Sequence, residues 1–582
     1  MTTNAASSSS RPGLSRLARV GLAVAGVVCL FVACYGLLGP FYYGHYGFHA
    51  GEYATRARHT LRNDCILPGN VPGATAPAPG AYYIHHPILT HQLVTASFAL
   101  FGDHEASVRL ASIFAFMTCF ALLTLLLSRQ GGTGPALAGA STFAVVPIHA
   151  WYAAHIDPGF PAIAALLGAF TCYLAWLESG AWRSGAGALA LLALSEGFEW
   201  TPYLVTVPWA IHVVVTARRE RGRYVTFVPW FVAAALIPAV LHIIAVRSAG
   251  QWADFIWAYG SRSASLSHTS FLTTMSAYCR TLIGRPLLAA IGVSLIAHLL
   301  RLVRRRSRPR DLVFLCMLAA TLGYFELFRV AVVTHAYRLL FGGTIAALAV
   351  ADLWETTAAL LAHLGRRRAS MAAAVLVAAI LAGTLPTTWG GLIESRAHGG
   401  IPEWRVFDPR LPRSMFARTL TRRSRLGDRI LLHPSFPFRM EIGYELDRDF
   451  TSGVRLSTLA PSVALPGVPA QPSAGALVAF AVDALDGEER RALGRLLARH
   501  PFVQMGTFGL LDLRVNHPGV DVFKLVGPSD DHRSLLRRYL FGPYEYPALV
   551  RDDAKAAAYI AEIASTGPAV ERPGPPASVS KR

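Results

Sequence analysis

Long apolar runs repeat along most of this 582-residue chain, and they constrain its fold more than any other feature. An α-helix needs about 20 mainly apolar residues to cross the hydrocarbon core of a bilayer. By that rule the sequence predicts about eleven membrane-spanning helices. Their approximate limits are 17–38, 107–128, 134–153, 158–177, 184–198, 201–217, 224–246, 283–303, 311–330, 338–360 and 370–389.

The charge of the chain agrees with this interpretation. Charged residues make up only 15% of the sequence, against roughly 25% in average soluble domains, which argues against an ordinary soluble enzyme. The net charge of +19 would also suit a nucleic-acid-binding protein, but the arginines cluster in short alternate connections, such as 218–223, 301–310 and 366–368. Such clusters mark cytoplasmic loops. The pattern therefore predicts a plasma-membrane protein with a cytoplasmic N-terminus, an extracytoplasmic C-terminus and no nucleic-acid partner.

The remaining segments predict the domain organisation. Residues 1–14 resemble a disordered cytoplasmic N-terminus, and residues 15–394 form a membrane domain with a large outer loop at 39–106. In residues 395–565, strand-like segments and an amphipathic helix predict an extracytoplasmic α/β domain. The Pro-rich residues 566–582 predict a disordered tail. The predicted fold class is a polytopic α-helical membrane protein with a C-terminal soluble α/β domain.

Polar residues gather in the first outer loop. The spacing of apolar residues in GEYATRARHTL predicts a short helix along the membrane surface, with His49 and Glu52 at its start. A carboxylate is favoured at a helix N-terminus, so Glu52 is either a simple cap or a functional group. For Arg58, contact with a lipid headgroup is the simpler role.

Two further polar segments precede the second apolar run. His85 and His86 open a short apolar helix, where capping or hydrogen bonding would be enough to explain them. As neighbours they point in different directions on a helix, which makes them a poor metal pair. Glu105 precedes Arg109 by four residues, a spacing at which the two side chains can simply pair with each other.

Other helix ends on the same predicted side also carry polar groups. Asp157 lies in HIDPGF, an arrangement typical of an N-cap, and Glu196 and Glu199 lie between two spans. A later helix begins with His335, Tyr337 and Arg338. An arginine at a helix start opposes the helix dipole, which makes sense if an anion binds nearby. An ion-coupled transporter would need ionisable residues midway through its spans, and this sequence has few there.

At these residues the chain resembles the GT-C glycosyltransferases, specifically the branch with protein O-mannosyltransferases and bacterial aminoarabinose-lipid A transferases. GEYATRARHTLRND is similar to the family's acidic motif followed by Tyr-Ala-x-x-Ala-Arg. YYIHHPILTHQLVTASFALFGDHEASVRLAS is similar to its His-Pro-Pro-Leu, Phe-Gly and acidic-x-x-x-Arg-Leu elements. VPIHAWYAAHIDPGFPAI resembles the loop between the third and fourth helices, and HAYRLLFGG resembles a later helix start. The likeness covers residues 15–390 in layout, with its specific motifs in the first 165.

The resemblance implies transfer of a sugar from a polyprenyl-phosphate carrier to a lipid, glycan or protein acceptor at the extracytoplasmic face, with inversion. In that family a first-loop carboxylate acts as base or orients the acceptor, and in this chain Glu52 or His49 could remove the proton of the acceptor hydroxyl. Asp157 matches the acidic residue after the third helix. The chain departs from the family where an Asp-Glu pair commonly precedes the loop tyrosine by four residues, because it has His49 and Ala50 there.

A phosphate leaving group needs cations rather than a protonating acid. The residues that the resemblance assigns to donor binding are His85, His86, Glu105, Arg58, His335, Tyr337 and Arg338. Whether the reaction uses a divalent metal stays open. Its candidate ligands would be Glu52, Glu105 and Asp157, and no other cofactor is implied. Two alternatives also stay open: a transporter or flippase for a lipid-linked sugar, and a non-catalytic membrane assembly protein.

Overall fold

The computed structural model describes a large part of the chain. The described residues are 16–34, 37, 45–69, 82–220, 223–263, 266–304, 308–398, 420, 424, 428–435, 450–452, 454–459, 476–497, 499–505, 508–514, 519–526 and 548–566. The chain divides into two compact units. The first, or membrane unit, comprises Met1–Tyr42, Arg56–Asn70 and Pro77–Trp404, and the second comprises Tyr43–Thr55, Val71–Ala76 and Arg405–Arg582.

Helices form the membrane unit, and at least one helix overlaps each apolar run predicted from the sequence. The α-helices are α1 (Arg16–Cys34), α2 (His45–Asn63, which has residues in both units), α3 (Leu89–Phe101), α4 (Glu105–Gly131), α5 (Thr133–Val145), α6 (Pro147–Tyr152), α7 (Gly159–Ser179), α8 (Trp182–Phe198), α9 (Thr201–Glu220), α10 (Arg223–Ser248), α11 (Trp252–Arg262), α12 (His268–Tyr278), α13 (Arg285–Val303), α14 (Pro309–Leu327), α15 (Arg329–Thr334), α16 (Leu340–Leu360) and α17 (Arg366–His398). A 3₁₀ turn, Ala336–Leu339, leads into α16.

One predicted span is divided in two. The apolar run at 134–153 forms α5 and α6, which meet at Val146 in an extended conformation. The next residue is Pro147, and the proline ring disfavours the α conformation for the residue before it. The break therefore follows from local sequence.

Six helices in the described part of the chain are long and apolar enough to cross a membrane. They are Glu105–Gly131, Gly159–Ser179, Tyr224–Ser248, Arg285–Val303, Ala336–Leu360 and Arg366–Gly390. Helices α7 and α16 are buried on nearly all sides, whereas α10, α13 and α17 expose most of their apolar surface. Apolar helices that are exposed in this way suit contact with lipid. The chain is a multi-pass membrane protein, and the number of eleven spans stays a prediction.

Close helix contact in the membrane unit depends on small residues. At Gly343 in α16, an added Cβ would lie 2.5 Å from Nε2 of His149 and 2.8 Å from Cγ2 of Ile148. The His149 ring cannot easily move away, because Nε2 lies 3.0 Å from the carbonyl oxygen of Leu340. Glycine is therefore required for α6 to approach α16.

We expect Gly343→Ala to destabilise the protein by about 1–3 kcal/mol through overpacking. Gly292→Ala is the matched control, because a Cβ at Gly292 of α13 meets no atom within 4 Å. Thermal unfolding in detergent should show a lower midpoint for Gly343→Ala and no decrease for Gly292→Ala. Equal midpoints for the two variants would contradict this account of the α6–α16 contact.

The second unit contains a seven-stranded mixed sheet. Its strands are β1 (Arg429–Leu432), β2 (Phe450–Ser452), β3 (Ala476–Ala481), β4 (Pro501–Met505), β5 (Phe508–Asp512), β6 (Gly519–Val526) and β7 (Ala548–Arg551), in the order β2-β1-β3-β5-β4-β6-β7. Strand β1 pairs in parallel with β2 and β3, β4 pairs in parallel with β6, and the other pairs are antiparallel. The second unit also contains helices α18 (Leu456–Leu459), α19 (Gly487–Leu497) and α20 (Asp553–Thr566).

Hydrophobic residues on one face of α19 pack against the sheet. Leu493 and Leu497 share a core with Val478, Phe480 and Phe502, and all five are nearly inaccessible to solvent. The sequence indicates this arrangement, since DGEERRALGRLLARH has its apolar residues on one helical face. The predicted tail at 566–582 lies outside the described residues except for Thr566, as do residues 1–14.

Candidate functional site

A buried arginine marks the start of α16. Arg338 lies in the 3₁₀ turn Ala336–Leu339, and only 7% of the residue is exposed. Its Nη1 lies 2.7 Å from Oε2 of Glu199. Its Cζ lies 4.7 Å from the ring centre of Tyr337 and 5.3 Å from that of Tyr324. Among the described residues Nε has no hydrogen-bond partner, so one donor of the guanidinium is left for a ligand.

Glu199 directly follows α8 and faces Arg338. Its Oε1 accepts the backbone N–H of Trp200 at 2.9 Å. Burial alone would raise the pKa of Glu199, but the Arg338 charge outweighs burial and holds that pKa below its usual range. Glu199 is therefore an anion that neutralises Arg338.

His86 completes this side of the site. Its Nε2 lies 3.5 Å from Nη2 of Arg338, and its Nδ1 lies 3.7 Å from Oε2 of Glu199. Burial lowers the pKa of His86 to about 3, although Glu199 opposes the shift. The imidazole is thus neutral at pH 7, and it can donate or accept a hydrogen bond without adding charge.

Asp157 precedes α7 and is within electrostatic range of both charged partners. Its Oδ1 accepts the N–H of Gly159 at 2.8 Å, and 2% of the residue is exposed. Burial raises the pKa of Asp157 to about 7, with Arg338 opposing the shift and Glu199 adding to it. A carboxyl group that titrates near neutral pH is suited to proton transfer. We refer to Arg338, Glu199, His86 and Asp157 as the Arg338 cluster.

Several residues predicted for donor binding have other partners. His85 Nε2 lies 2.7 Å from Oδ2 of Asp254 at the start of α11, so the two adjacent histidines have different surroundings. Arg58 donates from Nη2 to Oδ1 of Asp103 at 3.1 Å. Glu105 lies in the first turn of α4. Donor binding by His85, Arg58 and Glu105 stays a prediction.

Two other predicted residues lie beside Arg338 in sequence. The rings of His335 and Tyr337 are 5.4 Å apart, and Tyr337 also contacts Arg338. In the second unit, Nδ1 of His49 lies 3.6 Å from Oε2 of Glu52, one helical turn away. The catalytic roles of His49 and Glu52 stay predictions.

Two members of this environment have no role that the sequence alone predicts. From the sequence, Glu199 is only an outer polar residue, and no motif singles out Tyr324. A possible signal was the position of Glu199 at the end of a helix, where a carboxylate meets the unfavourable end of the helix dipole. Such a position needs compensation, and Arg338 supplies it.

A possible metal site lies elsewhere in the membrane unit. Among the described residues, one group of side chains brings three potential metal-ligand atoms within 4.8 Å of one another: His298, Asp311 and Asp352. However, Nη2 of Arg301 lies 3.0 Å from Oδ1 of Asp311 and 2.9 Å from Oδ1 of Asp352. A guanidinium bridging both carboxylates makes this an ion-pair network and does not suit a divalent cation. Metal binding by Glu52, Glu105 or Asp157 stays a prediction.

Comparison with known proteins agrees with the resemblance seen in the sequence. The model of the family "Dolichyl-phosphate-mannose-protein mannosyltransferase" matches residues 85–245, a range that includes His86, Asp157 and Glu199. No curated protein sequence matches the chain.

Solved structures resemble the fold over most of the chain. ArnT from Cupriavidus metallidurans, in the apo state, has a TM-score of 0.56 at 14% identity, covering 85% of this chain and 98% of ArnT. The same protein bound to undecaprenyl phosphate has a TM-score of 0.54 at 13% identity, covering 80% and 93%. An oligosaccharyltransferase from Archaeoglobus fulgidus, also in the apo form, has a TM-score of 0.51 at 12% identity, covering 86% and 75%.

These matches confirm the predicted resemblance to GT-C glycosyltransferases of the protein mannosyltransferase and ArnT branch. In fold, the chain is similar to ArnT. In sequence, it matches the mannosyltransferase family model over the segment that carries three of the four residues of the Arg338 cluster.

Proposed function

We propose that this protein is a membrane glycosyltransferase that moves a sugar from a polyprenyl-phosphate donor to an acceptor at the extracytoplasmic face, with inversion. The observation that carries the proposal is the Arg338 cluster. It combines a desolvated cation that has a donor to spare with a carboxyl group whose pKa lies near neutrality. Undecaprenyl phosphate is bound by ArnT, whose fold this chain shares, and we extend that ligand class to this chain as part of the proposal.

In the proposed reaction, an acceptor hydroxyl attacks the anomeric carbon of the donor sugar. Asp157 takes the hydroxyl proton as the new C–O bond forms. The bond between the anomeric carbon and the phosphate oxygen breaks, and its electron pair leaves with the polyprenyl phosphate. Arg338 stabilises that phosphate by charge-assisted hydrogen bonds, and the neutral His86 contributes a further hydrogen bond.

Glu199 sets the strength of this phosphate site. Its carboxylate pairs with Arg338, so a donor phosphate competes with Glu199 for the guanidinium. This competition keeps a lone cation from being buried without a partner, which would be costly. It also weakens retention of the product phosphate after transfer.

The direction of insertion is part of the proposal. The arginine clusters at 218–223, 301–310 and 366–368 support a cytoplasmic N-terminus by the positive-inside rule. The second unit would then be extracytoplasmic, on the side where the acceptor is glycosylated. His49 and Glu52 remain our candidates for orienting the acceptor.

The direct test uses purified protein in liposomes with polyprenyl phosphate carrying a labelled hexose or pentose. We expect free polyprenyl phosphate and a labelled acceptor glycoside to be released together, and Glu52→Gln to reduce transfer at least about tenfold. Glu326→Gln is the control, because Glu326 is exposed and pairs with Arg329 three residues away. Movement of the labelled lipid across the bilayer with no glycoside formed would favour a flippase instead.

A further inference from the structure

Glu196 is a buried carboxyl group that the proposed reaction does not use. It lies in the last turn of α8, one turn before Glu199, and is fully buried. Its Oε1 accepts the hydroxyl of Thr206 at 2.7 Å, whereas Oε2 has no hydrogen-bond partner among the described residues. No described cation pairs with it. Buried polar atoms are almost always satisfied, so an orphaned oxygen here needs an explanation.

A second unsatisfied group lies close by. The hydroxyl of Tyr203 in α9 is also buried without a hydrogen-bond partner among the described residues, and Tyr203 is within electrostatic range of Glu196. Its ring centre lies 5.6 Å from that of Trp200. Both aromatic residues are only partly buried.

Trp200 connects these groups to the Arg338 cluster. Its backbone N–H donates to Oε1 of Glu199, and its indole Nε1 donates to the carbonyl oxygen of His85 at 3.0 Å. The ring is therefore held between α8 and the segment that carries His86. A ligand bound against Trp200 and Tyr203 would lie next to the proposed phosphate site.

The combination of groups selects a ligand class. A carboxyl group and two hydroxyl groups offer hydrogen-bond donors and acceptors, and two aromatic rings offer an apolar surface. Sugars present the matching features, since they have hydroxyl groups around the ring and C–H bonds on its face. A phosphate would need a cation, and a divalent metal would need more oxygen ligands than this set provides.

We infer that Glu196, Thr206, Tyr203 and Trp200 form the subsite for the donor's sugar, a conclusion that rests on the proposed function. The phosphate of the same donor binds at the Arg338 cluster. The unsatisfied Oε2 of Glu196 and hydroxyl of Tyr203 then hydrogen-bond to sugar hydroxyl groups. The Arg338 cluster therefore binds the charged phosphate of the donor, and the neighbouring subsite binds its sugar.

The test compares the affinity for undecaprenyl phosphate with the affinity for undecaprenyl phosphate carrying glucose, mannose or arabinose. We expect the wild type to bind at least one sugar-bearing lipid more tightly than the bare lipid. Tyr203→Phe should weaken that binding about tenfold, the effect of losing one good hydrogen bond, and leave binding of the bare lipid unchanged. Glu196→Gln, which keeps an oxygen acceptor, should lose less affinity than Glu196→Leu.

Tyr173→Phe is the matched control, because it removes another phenol hydroxyl from the same group of helices, one that contacts His212. It should change neither affinity. A wild type that binds the bare lipid but prefers no sugar-bearing lipid would overturn the subsite and leave the proposed function standing. The subsite is also wrong if Tyr203→Phe lowers the thermal midpoint without changing either affinity, since the hydroxyl would then be purely structural. A wild type that binds neither lipid overturns both proposals.

Discussion

Replacing Arg338 with Gln should reduce sugar transfer by about 10²–10³-fold, the loss typical of removing a preorganised donor to a developing anion. Arg338 is the one cation in the Arg338 cluster, so the leaving phosphate depends on it for charge stabilisation. Arg338→Lys should fall between the wild type and Arg338→Gln, because lysine keeps the charge but not the planar fork of donors. The measurement is kcat/KM with a polyprenyl-phosphate-linked sugar.

Stability must be separated from chemistry in this experiment. Removing Arg338 alone leaves Glu199 buried as an unpaired anion, which costs about 3–5 kcal/mol in comparable buried pairs. The double variant Glu199→Gln, Arg338→Gln has no such charge and should unfold closer to the wild-type temperature, yet remain inactive. If the double variant regains transfer, Arg338 serves only to neutralise Glu199 and the phosphate role is wrong.

The sequence predicted helix positions better than it predicted the site. Apolar runs of spanning length carry their own signal, so a helix is found at each of them. Even the division of one run at Val146 has a local cause in Pro147. In the second unit, the sequence indicated three strands and one helix, but the sheet has seven strands. Three of the additional strands, β2, β4 and β7, have five residues or fewer, and short apolar segments give a weak signal. Strand β6 has eight residues, so its length does not explain why the sequence missed it.

The Arg338 cluster depends on contacts that no local pattern contains. His86 and Arg338 are 252 residues apart, and Glu199 joins them from a third part of the chain. The resemblance to a known family selected His86, Asp157 and Arg338 one by one, but it did not select Glu199. Only the approach of the 3₁₀ turn before α16 to the residue that follows α8 reveals that Arg338 already has an anionic partner, and hence that a phosphate must compete for it.

Asp157→Asn should reduce transfer by about 10²–10⁴-fold, the usual contribution of a general base. The wild-type rate should rise with pH and reach half its maximum near pH 7, because the pKa of Asp157 is about 7 and only the ionised carboxylate accepts a proton. The residual rate of Asp157→Asn should lack this pH dependence. The check is a pH profile of kcat/KM for both proteins from about pH 5 to about pH 9.

The stability of the same variant provides an independent control, because Asp157→Asn should lower activity but raise stability. The pKa of Asp157 is raised in the folded protein from the ordinary value of 3.8, so folding favours the protonated form. That stabilisation is fully present below about pH 4 and is lost as the pH rises through about 7. Asparagine stays neutral and can still accept the N–H of Gly159 as an N-cap. Asp157→Asn should therefore unfold at a higher temperature than the wild type at about pH 8, and the two should converge towards about pH 4. An inactive variant that is also less stable at pH 8 would contradict the assignment of Asp157 as a buried base, because its inactivity would then reflect damage to the fold.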